Sequence, residues 1–90
     1  MEVSFSGQFV KAFQKGVGNG SISNASFRQT LELFKANPFD VKLKTHKLSG
    51  KLKGLWSFSI AYDTRVVFYF TGDKPPKAIF VNIGNHGEVY

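Results

Sequence analysis

Residues suited to moving a proton or holding a phosphate are few in this chain: His46, Asp63, Arg65, His86 and Tyr90. Together they match one reaction, cleavage of RNA without a metal. A general base takes the proton of a 2′-hydroxyl, which then attacks the adjacent phosphate. A cation stabilises the charge growing on the phosphorane, and a general acid protonates the leaving 5′-oxygen. His46 and His86 suit the first and last roles because imidazole titrates near neutrality. Arg65 suits the middle one because its planar fork binds phosphate through two bonds. Tyr90 can stack on an unpaired base. Each histidine taken singly reads more readily as a surface or turn residue, and spacing alone does not establish the reaction.

Metal chemistry finds no support. The chain has two His and no Cys, and neither HxH nor HExxH spacing occurs. A catalytic zinc needs three protein ligands. The absence of Cys also excludes a disulfide scaffold and a thiol nucleophile.

The formal net charge is +6, from 12 basic and 6 acidic residues. The segment KLKTHKLSGKLK holds Lys42, Lys44, Lys47, Lys51 and Lys53 with no acid among them. A basic stretch on an otherwise near-neutral body is the footprint of a polyanion partner, here RNA backbone. A solvated lysine loop is the alternative, and charge alone does not choose between them.

The elements that must position these groups follow from periodicity. EVSF at 2–5 is β-compatible, and Ser6 can cap a helix over about 7–15 whose apolar stripe is Phe9, Val10 and Phe13. GVGNG breaks it; without a preceding strand or a following Gly-Lys-Ser/Thr it is a loop and not a phosphate cradle. A second helix spans about 24–36, with Ser26 and Gln29 as a capping box and Phe27, Leu31 and Phe34 on one face. Asn37, in a left-handed cap, and Pro38 stop it. From residue 54 the period becomes two. Trp56, Phe58, Ile60 and Tyr62 alternate with Leu55, Ser57, Ser59 and Ala61; Asp63 and Thr64 turn the chain. Val66, Phe68 and Phe70 alternate with Arg65, Val67 and Tyr69, and AIFVNI forms a third run before Gly84. The pattern predicts an α+β fold, β-α-α-β-β-β, with a helical hairpin on one side of an antiparallel sheet. Ser57, Ser59 and Arg65 then occupy the open face.

Ninety residues predict one domain, 1–90. No run approaches a membrane span, and MEVSFSGQF resembles no signal peptide, so a cytoplasmic protein is expected.

Three pieces of sequence resemble the RelE/ParE toxin superfamily, in its RelE/YafQ-like mRNA interferase branch. They are H-x-L-S-G-x-L-x-G-x-W at 46–56, R-V-V-F-Y at 65–69 and G-x-H-x-E-V-Y at 84–90. The resemblance implies a curved antiparallel sheet carrying two N-terminal helices. It implies a type II toxin that cleaves mRNA on the ribosome, a cognate antitoxin as partner, and no cofactor or membrane. Carried over by position, His46 matches a catalytic His or Glu, Asp63 an acid of the hairpin turn, Arg65 the phosphate-binding arginine, His86 the C-terminal catalytic His or Arg, and Tyr90 the C-terminal aromatic. Lys44, Lys47, Lys51, Lys53, Ser57 and Ser59 are expected to contact RNA. Ser57, Ser59 and Asn82 depart from the family pattern, which places charged residues there. ParE-type relatives share the fold and inhibit DNA gyrase by binding, so a gyrase inhibitor is the alternative. A toxin fold reduced to antitoxin binding is a third reading.

Overall fold

The computed structural model describes all 90 residues. Strand β1 (Val3–Phe5) leads into helix α1 (Gly7–Gly18), then α2 (Asn24–Ala36). A 3-10 turn at Val41–Leu43 precedes β2 (His46–Lys47), and a second at Gly50–Leu52 precedes β3 (Trp56–Ile60). Strands β4 (Thr64–Phe70) and β5 (Ala78–Gly84) follow, and a short helix α3 (His86–Val89) closes the chain. The sheet order is β1-β5-β4-β3-β2.

The expected meander β3-β4-β5 is the antiparallel centre of this sheet. The sheet as a whole is mixed, because β1 lies parallel to β5 at one edge. At the other edge β2 pairs with β3. Alternation decides which face is apolar. Phe58, Ile60, Val66, Phe68 and Phe80 are buried in one cluster with Phe9, Phe27 and Phe34 from the two long helices. Phe34 stacks on Phe58 with ring centroids 4.9 Å apart and meets Phe68 and Phe80 edge to face. Such aromatic pairs add about 0.5–1.5 kcal/mol each beyond their buried area. In β5 the core positions are Ala78, Phe80 and Ile83, because a bulge between Phe80 and Asn82 inserts an extra residue. The bulge turns Asn82 away from the core and lets Ile83 in.

Both helices end differently from the sequence expectation. Helix α1 is capped as expected by Ser6, whose Oγ accepts the Phe9 N–H. It continues through Gly16 and Gly18 and stops at Asn19, so the glycines close the helix instead of breaking it. Gly16 is where Ile22 crosses: a Cβ there would stand 2.2 Å from Ile22 Cδ1 and 2.6 Å from its Cγ1. Helix α2 spans the expected residues, but its cap is Ser23, whose Oγ accepts the Ser26 N–H. Asn37 is extended at φ −158, not left-handed. The following Pro38 forces this, since its ring excludes helical geometry at the preceding residue.

Gly16 and Gly18 give a contrast within one helical turn. Nothing lies within 4 Å of a Cβ at Gly18, so Gly18→Ala should stabilise the protein by about 0.5–1 kcal/mol through helix propensity. Gly16→Ala gains the same propensity but must displace the whole buried Ile22 side chain, an overpacking cost of about 1–3 kcal/mol. A net loss of about 1–2 kcal/mol is expected. Urea midpoints of the two variants check this, and a Gly16→Ala protein as stable as Gly18→Ala would refute the packing account.

Candidate functional site

The register of the sheet assembles the face opposite the aromatic core. His46 pairs with Ser57, Ser57 with Val67, and Val67 with Asn82. Directly paired residues in antiparallel strands project to one side, so these four form a row across that face. The next row holds Ser59, Arg65 and Gly84. His46, Ser57, Ser59 and Arg65 therefore share a side.

The sequence placed helices on one side of the sheet only. The structure adds α3 on the other, packed on β4 and β5. Asn85 caps it reciprocally with Glu88: Asn85 Oδ1 accepts the Glu88 N–H at 2.9 Å and Glu88 Oε1 accepts the Asn85 N–H at 2.8 Å. Gly84 makes room for this turn. A Cβ at Gly84 would stand 2.8 Å from Glu88 Oε1. Its role is space for a neighbour, since its φ is not positive. Helix α3 buries Val89, and beneath it Val67 and Ser57 are also buried.

His86, the first residue of α3, is exposed and sits edge-on to the Tyr90 ring, with centroids 4.5 Å apart. The Tyr90 hydroxyl donates to Ser57 Oγ. His46 is the strand partner of Ser57. Thus His46, Ser57, Tyr90 and His86 are joined on one surface by successive neighbours. His46 is exposed, and its Nδ1 lies 2.9 Å from the Lys44 carbonyl. A carbonyl only accepts, so Nδ1 is the donor in this contact, and in the neutral ring Nε2 is left as the acceptor. Lys44 adopts a left-handed backbone, φ 54, which is uncommon for a residue with a Cβ.

Beside this row lies an open depression lined by Lys42, Lys44, Ser59, Ala61, Tyr62, Asp63 and Arg65. Arg65 is half-buried, and its guanidinium reaches only the carbonyls of Tyr62 and Thr64, both at 3.4 Å. No carboxylate pairs with it; the ion pairs of the protein are Lys35–Glu32 and Lys77–Glu2. Asp63 is exposed in the turn beside it. An unneutralised guanidinium flanked by two lysines is arranged to receive an anion. No three His, Cys, Asp or Glu side chains cluster as a metal site would require.

Two expectations need correction. Ser57 was assigned to RNA contact but is fully buried, with its hydroxyl bound to Tyr90; the tail covers it. The lysine stretch is expected to contact RNA backbone, and strand alternation divides it between the two sides of the sheet. Lys47 projects opposite to His46, with Nζ 5.5 Å from the centre of the Trp56 ring. Lys53 lines a groove beside Lys47 and Trp56, and Lys51 is exposed in the turn before β3. Only Lys42 and Lys44 share the Arg65 depression. Lys42 belongs to the basic stretch that the sequence marks, and Tyr62 is an addition that the sequence does not single out for the site. Tyr62 was read as the last strand residue; it lies in the turn and is 96% exposed. Its place next to Asp63 was the available signal.

No family model matches the chain, and no curated protein matches it. Solved structures do. The chain is similar to YafQ from E. coli, with a TM-score of 0.81 and 19% identity over 99% of this chain and 97% of that one. It is similar to a copper-bound mutant toxin from Helicobacter pylori, with a TM-score of 0.79 and 26% identity over 100% of this chain and 99% of the other. A third is the E. coli DinJ–YafQ toxin–antitoxin complex, with a TM-score of 0.72 and 21% identity over 99% of this chain and 96% of the matched chain.

Proposed function

The chain has the fold of the RelE/ParE toxin superfamily, and from that premise we propose that it is the toxin of a type II toxin–antitoxin pair and cuts mRNA on the ribosome. The observation that supports this reading is that one face of the sheet carries His46, the docked His86–Tyr90 turn and an Arg65 free of any carboxylate. His46 Nε2, the acceptor of the neutral ring, takes the 2′-hydroxyl proton. Arg65, with Lys44 beside it, stabilises the phosphorane that forms when the 2′-oxygen attacks. His86 protonates the leaving 5′-oxygen, and Tyr90 flanks the base next to the scissile bond. Asp63 is placed to orient an incoming group at the rim. The DinJ–YafQ complex supports a cognate antitoxin as protein partner. No helix of the chain is long and apolar enough to cross a membrane.

Primer extension on an mRNA translated in a cell-free system tests the reaction. Cuts that need both the protein and translation are expected. Intact mRNA together with loss of DNA supercoiling by gyrase would replace this reading with a ParE-like one.

The division of the lysines makes a second test. Each phosphate neutralised on a single strand contributes about −0.7 to the slope of log affinity against log salt. Changing Lys42 and Lys44 together to Ala should flatten the slope for RNA by about 1.4. Lys47→Ala should leave it unchanged, since that ammonium lies on Trp56 away from the site. Equal slope changes for both variants would show that the lysines act as one diffuse surface.

A further inference from the structure

Ser57 is the only polar side chain fully buried in the protein, and Tyr90 is its hydroxyl's partner. Buried under the C-terminal turn, it cannot reach a phosphate, so its chemistry is directed inward. Helix α3 has only four residues, far too few to be stable without tertiary contacts. Its capping box acts within the turn and the burial of Val89 is non-directional. The Tyr90–Ser57 bond alone ties the turn to a defined point on β3, the residue paired with His46. Tyr90 in turn supports the His86 ring.

We propose that Ser57 is a positioning residue: its hydroxyl latches Tyr90 to the sheet and thereby fixes His86 on the face that carries His46. The latch rests on the nuclease reading only for its purpose; the contact itself can be measured without cleavage. It also explains how a serine serves where the family pattern has a charged residue. A charge under the docked turn would have to be desolvated there, whereas a hydroxyl accepts the tyrosine bond at little cost.

Ser57→Ala removes the acceptor and leaves the fold, because Tyr90 is 38% exposed and its hydroxyl can turn to water. A neutral hydrogen bond of this kind shifts an equilibrium about 2- to 10-fold. The amides of Glu88, Val89 and Tyr90, bonded within the turn, should exchange about 2- to 10-fold faster in Ser57→Ala, with the amides of α2 and β4 unchanged. Tyr90→Phe should give the same acceleration, and the double variant no more. The His86 ring-proton resonances, shifted by the adjacent Tyr90 ring, should move toward free histidine in Ser57→Ala. The rate of cleavage should fall in Ser57→Ala, with KM for mRNA unchanged. Unchanged exchange in the turn, or acceleration spread equally through the sheet, would overturn the latch. A loosened turn with full cleavage would overturn the positioning role. A parent protein that cuts nothing ends the nuclease reading, and the exchange and His86 signals still decide the latch.

Discussion

His46→Ala should slow mRNA cleavage by about 10²–10⁴-fold, the range over which a positioned acid or base acts, while leaving stability within about 0.5 kcal/mol. The second half follows from exposure. The imidazole stands on an edge strand of two residues, and its one hydrogen bond is with the Lys44 carbonyl. Exposed side chains without buried partners contribute little to folding. The first half follows from the same contact: with Nδ1 donating to that carbonyl, Nε2 of the neutral ring is left as the acceptor. His46→Gln distinguishes proton transfer from positioning, because an amide can donate to the Lys44 carbonyl but cannot accept and release a proton near neutral pH. It should be as inactive as His46→Ala. His86→Ala should lose activity in the same range, and the double variant should be little worse than the worse single one, since base and acid act as one unit. Single-turnover cleavage of translated mRNA provides the measurement. Full activity in His46→Gln would remove His46 from the proton-transfer role.

Arg65→Ala should cost about 10²–10³-fold in cleavage, as removal of one preorganised charge-stabilising donor does, with the melting temperature unchanged. No Asp63–Arg65 ion pair pins the hairpin; the ion pairs are Lys35–Glu32 and Lys77–Glu2. The guanidinium's two carbonyl contacts, each at 3.4 Å, are long for hydrogen bonds and contribute little. What remains is a cation beside Lys42 and Lys44, whose mutual repulsion is relieved when a phosphate arrives. Arg65→Lys should restore only part of the activity, because an ammonium lacks the planar fork that engages two phosphate oxygens at once. Growth arrest on expression, paired with a thermal melt of the purified variant, reads both quantities. Arrest retained by a protein of lowered melting temperature would assign Arg65 to the hairpin instead.

The parts legible in sequence are those written as a repeating local pattern. Alternation at Trp56–Ile60 and Val66–Phe70 determined which sheet face is apolar, and the spacing of Phe27, Leu31 and Phe34 determined the inner side of α2. Phe27 and Phe34 are buried as that spacing requires. His46, Arg65, His86 and Tyr90 were identifiable by chemical type, with motif resemblance supplying their roles. Tertiary structure decided what has no period of its own. A strand of two residues, His46–Lys47, is too short to alternate and exists because β3 offers it an edge. It nevertheless decides which lysines accompany the histidine. Helix α3 likewise exists through its cap, the room at Gly84 and its docking on β4 and β5. Ser57 is the sharpest case. Its alternation places it correctly on the polar face, which from sequence reads as exposed. It is buried because a tyrosine 33 residues further along the chain lies over it. Periodicity states which way a side chain points; only the packing of distant segments states what it meets there.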